Sequence, residues 1–496
     1  MKVFTNVDSY THSKSGNTKK KTRRFFTVEE VRKNLRLKMP AKASVWYIAS
    51  SAIARSIGAM GTPIFTRLLT PEEYGIFPLY NTWIGVFTVV VTLEITGGAM
   101  YRGLQKFSDK KDEFISAAFG LFTSIFILFC TLLFAFNRFL IDITGLSLPI
   151  LLIMFLQIFA NTIIAFYTAK ARFEYNYKNV AILNLASAFG TPLLSVLLIL
   201  MTKLGGISRI VGSSLTLTVI SIPIGYLLLK KSQKLFDKDI WKFLLKFCLP
   251  LLPHYFSMTL IMRIGEITVG RYFGNEALGK YSVALSLGMS LTIITNGLLS
   301  ALSPWMLRKI NSHETERIKD FLLLCTKALS VMCLIILSLS PEFIKILTPS
   351  DFHSSLPAIY PLELAVIPMF LSNALMSGQM YYEKSGISAL PSIICATISA
   401  ALSLTVLPML DYRFVSVFVL FSYLVLAFLN TAIFKRISGE MPLLIKQTIV
   451  VFSLTIGYAS LLFLFRDVLI SRVILLIPLL PMLAVLGKQI LSRIKE

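Results

Sequence analysis

The sequence predicts an all-α polytopic membrane protein of about fourteen transmembrane helices, built as two six-helix lobes plus two C-terminal helices. Three observations predict it. Hydrophobic residues make up 55% of the 496 and charged residues only 15%, where a soluble domain carries about 25% charged; mean hydropathy is +0.72. Apolar runs of about 20 residues recur along the chain, each long enough to cross about 30 Å of hydrocarbon. A short motif in the first half returns at a fixed offset in the second.

Each apolar run is continuous, whereas the strands of a membrane barrel would alternate. Backbone polar groups in lipid must be satisfied within their own segment, so the runs are helices. They fall at 44–66, 77–101, 115–136, 147–168, 179–201, 207–229, 247–270, 281–305, 320–340, 357–381, 388–409, 414–434, 443–465 and 469–490. This divides the chain into a basic leader (1–43), an N-lobe (44–230), a linker (231–246), a C-lobe (247–438) and a final pair with its tail (439–496). The connections are short, and none is large enough for a soluble catalytic domain.

A formal charge of +23 first points to nucleic acid. Its placement points elsewhere. The first 42 residues hold twelve Lys/Arg against three acids, and loops after even-numbered spans carry about twice as many Lys/Arg as the others. That is the positive-inside pattern, which puts the even loops and both termini in the cytoplasm and argues against a nucleic-acid partner. Residues 25–38 mix apolar and basic side chains, either as an interfacial helix on anionic lipid or as a disordered basic tail.

Span one ends in Arg67, Glu72 and Gly75, and span seven in Arg271, Glu276 and Gly279. All three pairs are 204 residues apart, and six spans separate the copies. An even number makes the halves parallel repeats about an axis along the membrane normal. The glycines are expected to permit a tight turn between helices, and the arginines to pair locally with Glu72 and Glu276. Gly274 to Lys280 matches the spacing of a nucleotide-binding loop, but Tyr281 stands where Ser or Thr must hold magnesium, and no strand precedes it. The five cysteines lie in apolar spans without metal-ligand spacing, so no metal site is expected, and nothing calls for a cofactor.

The runs Lys42 to Trp46, Thr62 to Gly75 and Leu79 to Trp83 resemble the start of bacterial polysaccharide flippases of the multidrug/oligosaccharidyl-lipid/polysaccharide exporter superfamily. The resemblance is sharp over about residues 42–110 and diffuse to about 440. It implies two lobes around a central cavity, alternating access in the bacterial inner membrane, and an undecaprenyl-diphosphate-linked oligosaccharide as cargo for O-antigen, capsule or exopolysaccharide. It also implies H+ or Na+ coupling and a polysaccharide polymerase and glycosyltransferases as partners.

Such cargo needs a hydrated cationic site, and an arginine at mid-membrane costs at least about 2.5–3.5 kcal/mol, so it should face the interior. Arg55 lies eleven residues after Ser44, about 16 Å deep. Arg263, moved back by 204, falls one turn from Arg55, on the same face of the matching helix. These two are the expected diphosphate ligands; the alternative for Arg263 is an ion pair with Glu266, three residues on. Glu94, Glu266 and Glu363 are the acidic candidates, either for ion coupling or as counter-ions. Gln157, Asn161, Asn184, Asn296, Asn373 and Gln379 either line a glycan path or bond helix to helix. Pro250 and Pro253 are expected to kink span seven. No catalytic group is expected; a multidrug exporter, and more remotely a membrane oligosaccharide polymerase, are the competing readings.

Overall fold

The computed structural model describes residues 60–174, 176–230, 234–379, 382 and 385–495, with positions 46, 50, 51, 53, 54 and 56–58. The basic leader and Arg55 lie outside the described residues. Helices α1 (60–68), α2 (Pro71–Thr92), α3 (Met100–Lys106), α4 (Lys111–Ala135), α5 (Asn137–Thr144), α6 (Leu148–Phe173), α7 (Tyr177–Met201) and α8 (Gly206–Lys230) make the first lobe. The second holds α9 (Lys238–Gly288), α10 (Thr292–Asn311), α11 (Thr315–Leu347), α12 (Leu356–Gln379), α13 (Ser385–Ala401) and α14 (Val415–Ser438). Then come α15 (Ile445–Leu464), α16 (Leu469–Leu476) and α17 (Leu479–Lys495). Among the described residues twelve helices are long and apolar enough to cross a membrane. The expected first span is only partly described, and the expected eighth is divided between the end of α9 and α10.

The repeat is legible in the backbone, with its corner five residues before the expected glycines. At one copy Thr70 starts α2: its hydroxyl accepts from the Glu73 amide at 3.3 Å, and the Glu73 carboxylate accepts from the Thr70 amide at 3.0 Å. This is a capping box followed by proline at the first helical position. At the other copy, 204 residues on, α9 turns the same corner at Gly274, whose φ of 80° favours glycine.

Gly75 and Gly279 therefore make no turn. They sit on the helices after the corners, where α2 crosses α9. A Cβ at Gly75 would lie 1.9 Å from the Asn275 carbonyl oxygen, and one at Gly279 would lie 2.1 Å from that of Pro71. The positions 71 and 75 meet 275 and 279 reciprocally, as a two-fold axis between the glycines demands. Small residues four apart let membrane helices approach backbone to backbone.

The same end of the boundary is sealed around this crossing. Phe65, Leu69, Tyr74, Val283 and Phe352 form a buried cluster drawn from both lobes, with the Tyr74 and Phe352 rings edge to face at 5.6 Å. Arg67 donates to the Ile346 carbonyl at 2.7 Å and to that of Pro63 at 2.9 Å. This corrects the expected pairing with Glu72: the unpaired carbonyls at the end of α11 take the guanidinium. Glu276 likewise accepts from Lys280, one turn away, at 2.6 Å rather than from Arg271.

Residues 234–237 carry the chain across α4, where Gly120 leaves room for the Leu235 carbonyl and the Trp241 indole donates to Ala117 at 2.9 Å. The final helices pack on α11. Arg472, 3% exposed in its side chain, pairs there with Glu342 and donates to the Ser338 carbonyl at 2.7 Å.

Candidate functional site

The boundary between the lobes is formed chiefly by α2 and α9. Arg263 projects from α9 against α2, where Gly85 leaves space: a Cβ there would be 3.5 Å from Arg263 Nε. Arg263 Nη1 donates to Glu266 Oε2 at 2.8 Å, and the Thr82 hydroxyl donates to the same oxygen at 2.9 Å. The Glu266 side chain is 5% exposed and that of Arg263 34%. So the i, i+3 pair exists, tied across the boundary by Thr82. Arg263 Nε and Nη2 make no hydrogen bond among the described residues, which leaves one edge of the guanidinium fork open between the lobes. Thr82 is seven residues beyond Gly75, so the cluster lies about 10 Å below the glycine crossing.

Below it the expected second span breaks. Leu93 and Glu94 have φ of 49° and 51°, the left-handed region that costs a residue with a side chain about 1–2 kcal/mol. The Thr92 hydroxyl accepts from the Glu94 amide at 3.2 Å, and a wide turn, Ile95–Ala99, leads to α3. Glu94 thus stands at the boundary, within electrostatic range of Cys248 and Tyr255 on α9. Glu363 is elsewhere. It is fully buried on α12 inside the second lobe, facing Ser290 and Leu291 at the break between α9 and α10, with no ion-pair partner among the described residues. Span seven continues as helix through Pro250 and Pro253, against the expected kink; the non-helical residue of α9 is Gly274, four residues past the span.

Three arginines and a lysine enter the picture that loop charges alone concealed. Arg102 lies over the Phe247 ring at 5.2 Å and Lys106, one turn on, over Phe243 at 4.7 Å, which puts two cations of α3 against the start of α9. Arg209 is not a loop residue. Its guanidinium is held between Phe65 at 4.1 Å and Phe77 at 4.0 Å, with Tyr74 at 5.0 Å. With Arg172, Asn184, Thr191 and Ser195 it lines a cavity of about 550 Å³ in the first lobe. Of the expected amides, Asn184 lines this cavity and Asn373 another in the second lobe. Gln157 instead bonds helix to helix, accepting from Tyr80 at 2.8 Å. Among the described residues no group of three or more metal-ligating side chains occurs.

A family model described as polysaccharide biosynthesis protein matches residues 64–357, more than half of the chain. The chain belongs to this polysaccharide biosynthesis protein family. No curated protein matches it in sequence. Among solved structures it is similar to the lipid II flippase MurJ in an inward closed conformation, with a TM-score of 0.65 and 14% identity over 90% of this chain and 99% of that one. It is similar also to an inward-facing MATE family multidrug resistance transporter, at 0.62 and 14% over 77% and 94%. A third, a MOP superfamily transporter from Pyrococcus furiosus, gives 0.55 and 16% over 81% and 96%. At such identities the likeness shows the fold: this family member has the two-lobed, all-helical architecture of those membrane transporters.

Proposed function

We propose that this protein flips an undecaprenyl-diphosphate-linked oligosaccharide across the bacterial inner membrane for surface polysaccharide synthesis. The observation that carries the reading is Arg263: a cation deep in an apolar helix, aimed at the lobe boundary, half neutralised by Glu266 and with one guanidinium edge free. An arginine fork suits the oxygens of a diphosphate, and a buried charge turned inward marks a substrate path. The family's role in polysaccharide biosynthesis supports the same cargo. Arg102 and Lys106 attract an anionic headgroup at the cytoplasmic mouth of the boundary, and Arg55 is the expected partner of Arg263 from the first lobe.

Alternating access follows from the two-lobe plan: the glycine crossing closes the outer end while the headgroup enters from the cytoplasm, with the prenyl tail left in lipid. The lobes are those of residues 44–230 and 247–438, both termini are cytoplasmic, and glycosyltransferases and a polymerase act before and after. The test is flipping of a fluorescent undecaprenyl-diphosphate oligosaccharide in vesicles. Arg263→Gln is expected to reduce it at least tenfold per molecule of folded, membrane-inserted protein, and to lower the melting temperature because the buried Glu266 loses its cation. Full activity in Arg263→Gln would remove the arginine from the substrate path.

A further inference from the structure

The second lobe encloses a polar cavity of about 130 Å³ that the proposed substrate path does not use. His254 and Met258 of α9, Ser372, Asn373 and Met376 of α12, Ser392 of α13, and Leu426 and Asn430 of α14 line it. The volume holds several water molecules, which require polar partners. Two of those partners, Ser372 and Asn430, are fixed. The Asn430 amide donates to Ser372 at 2.7 Å, and Gln379 donates to the Asn430 side-chain oxygen at 3.3 Å and its carbonyl at 2.9 Å.

His254 is the titratable member of this lining. Its Nδ1 lies 2.8 Å from the Ser392 hydroxyl oxygen. The Ser392 hydrogen is already committed to the Ala389 carbonyl at 2.7 Å, so the hydroxyl can only accept from the ring. That fixes the neutral tautomer with its proton on Nδ1, and leaves the Nε2 lone pair as a base. Nε2 has no hydrogen-bond partner among the described residues. The ring is only 8% exposed, and lines the polar cavity. His254 is seven residues inside the expected start of span seven and Ser392 seven after the start of α13, which places the ring about 10 Å in from that end of the bundle.

No fixed charge among the described lining residues competes. The other titratable side chains near this level are Cys248 and Tyr255 on α9, Cys395 on α13 and Tyr423 on α14, all neutral near pH 7 in their ordinary forms. Glu94 reaches Cys248 and Tyr255 from the first lobe. On α12 Glu363 lies nine residues before Ser372, and on α9 Arg263 lies nine beyond His254, already engaged by Glu266.

We propose that His254 is a proton-binding site: Nε2 takes a proton from cavity water and yields an imidazolium held by Ser392, and this step couples the transport cycle to the proton gradient. The coupling half rests on the transport reading above; the proton-binding half does not. The chain has four histidines, so His12→Gln, His313→Gln and His353→Gln together leave His254 as the sole imidazole. In bilayers, its ¹⁵N spectrum is expected to show the Nδ1-protonated neutral ring at high pH and conversion to imidazolium as the pH is lowered from 8 to about 4. An unchanged neutral ring over that range, or a proton on Nε2 instead, overturns the site.

In otherwise native protein, His254→Gln is expected to keep its melting temperature and basal flipping of the fluorescent lipid probe but lose at least fivefold of the stimulation by an imposed pH gradient. Stimulation equal to wild type overturns the coupling. Should the native protein flip no probe at all, the transport reading fails while the NMR titration still decides the proton site.

Discussion

Gly75→Ala tests whether the reciprocal crossing is what closes one end of the molecule. The new methyl carbon would start 1.9 Å from the Asn275 oxygen, 2.8 Å from its carbonyl carbon and 2.9 Å from the Gly279 nitrogen. All three are backbone atoms, so no side chain can swing aside. Reaching even 3.0 Å from the oxygen requires α2 and α9 to part by about 1.1 Å. Overpacking of this kind costs about 1–3 kcal/mol, and loss of the clustered contacts around Tyr74 and Phe352 adds to it. Because the strain exists only while this end is closed, 1–3 kcal/mol moves the closed–open balance by about 5- to 150-fold. Spin labels at exposed Glu72 and Glu276, in protein whose five cysteines are replaced, report the separation across the axis. Gly75→Ala and Gly279→Ala should each populate a longer distance, and the double variant should fall short of the sum, since both act on one contact. Gly457→Ala, which meets nothing within 4 Å, is the control. Distance distributions identical to wild type in both variants would refute the reasoning.

Other outcomes follow from the same geometry. Glu266→Gln should weaken the hold on Arg263 and on Thr82 together, so its melting temperature should fall as that of Arg263→Gln does, while its flipping defect should be milder. Arg472→Met leaves Glu342 without its partner on α11; because Glu342 is one-third exposed, the cost should be near the lower end of the 3–5 kcal/mol for a broken buried pair, about 3 kcal/mol. Limited proteolysis should then release α15–α17 first, and adding Glu342→Gln should restore part of the loss. In the loop before α14, the Arg413 hydrogen bond holds the Asp411 carboxyl below its usual range. A carboxyl lowered on folding stabilises above its unfolded pKa, about 3.9, and loses that effect as pH falls through its folded value. Asp411→Asn should therefore lower stability at pH 7 by under about 1 kcal/mol for so exposed a pair, read as a drop in melting temperature that vanishes near pH 2.

The class of fold was open in the sequence because lipid imposes a crude rule: twenty apolar residues make a helix wherever they occur. The repeat was open too, because its offset of 204 is preserved in Arg67, Glu72 and Gly75. What Gly75 does was not. A glycine near a helix start reads as a turn, and only the partner helix shows that it is a contact. The break after α2 was only half open: Gly97 and Gly98 mark its wide turn, but Leu93 and Glu94, which take left-handed backbone, are neither glycine nor proline. At the site, the Arg263–Glu266 pair followed from spacing alone, whereas the open edge of the guanidinium depends on α2. Arg209 gave no site signal because it falls only two residues into its span, and only three rings folded around it reveal that it is inside. His254 gave no signal, since its tautomer is set by Ser392, more than a hundred residues away.

The glycine crossing also bears on how a doubled gene can drift. Position 75 faces the copy of position 71, and 279 faces 71 itself, so at the axis each half is packed against its own twin and a side chain gained in either one collides with both. Away from the axis the halves are released from that bond, and there they have parted: the same corner is turned by a hydroxyl cap at Thr70 and by a bare backbone at Gly274.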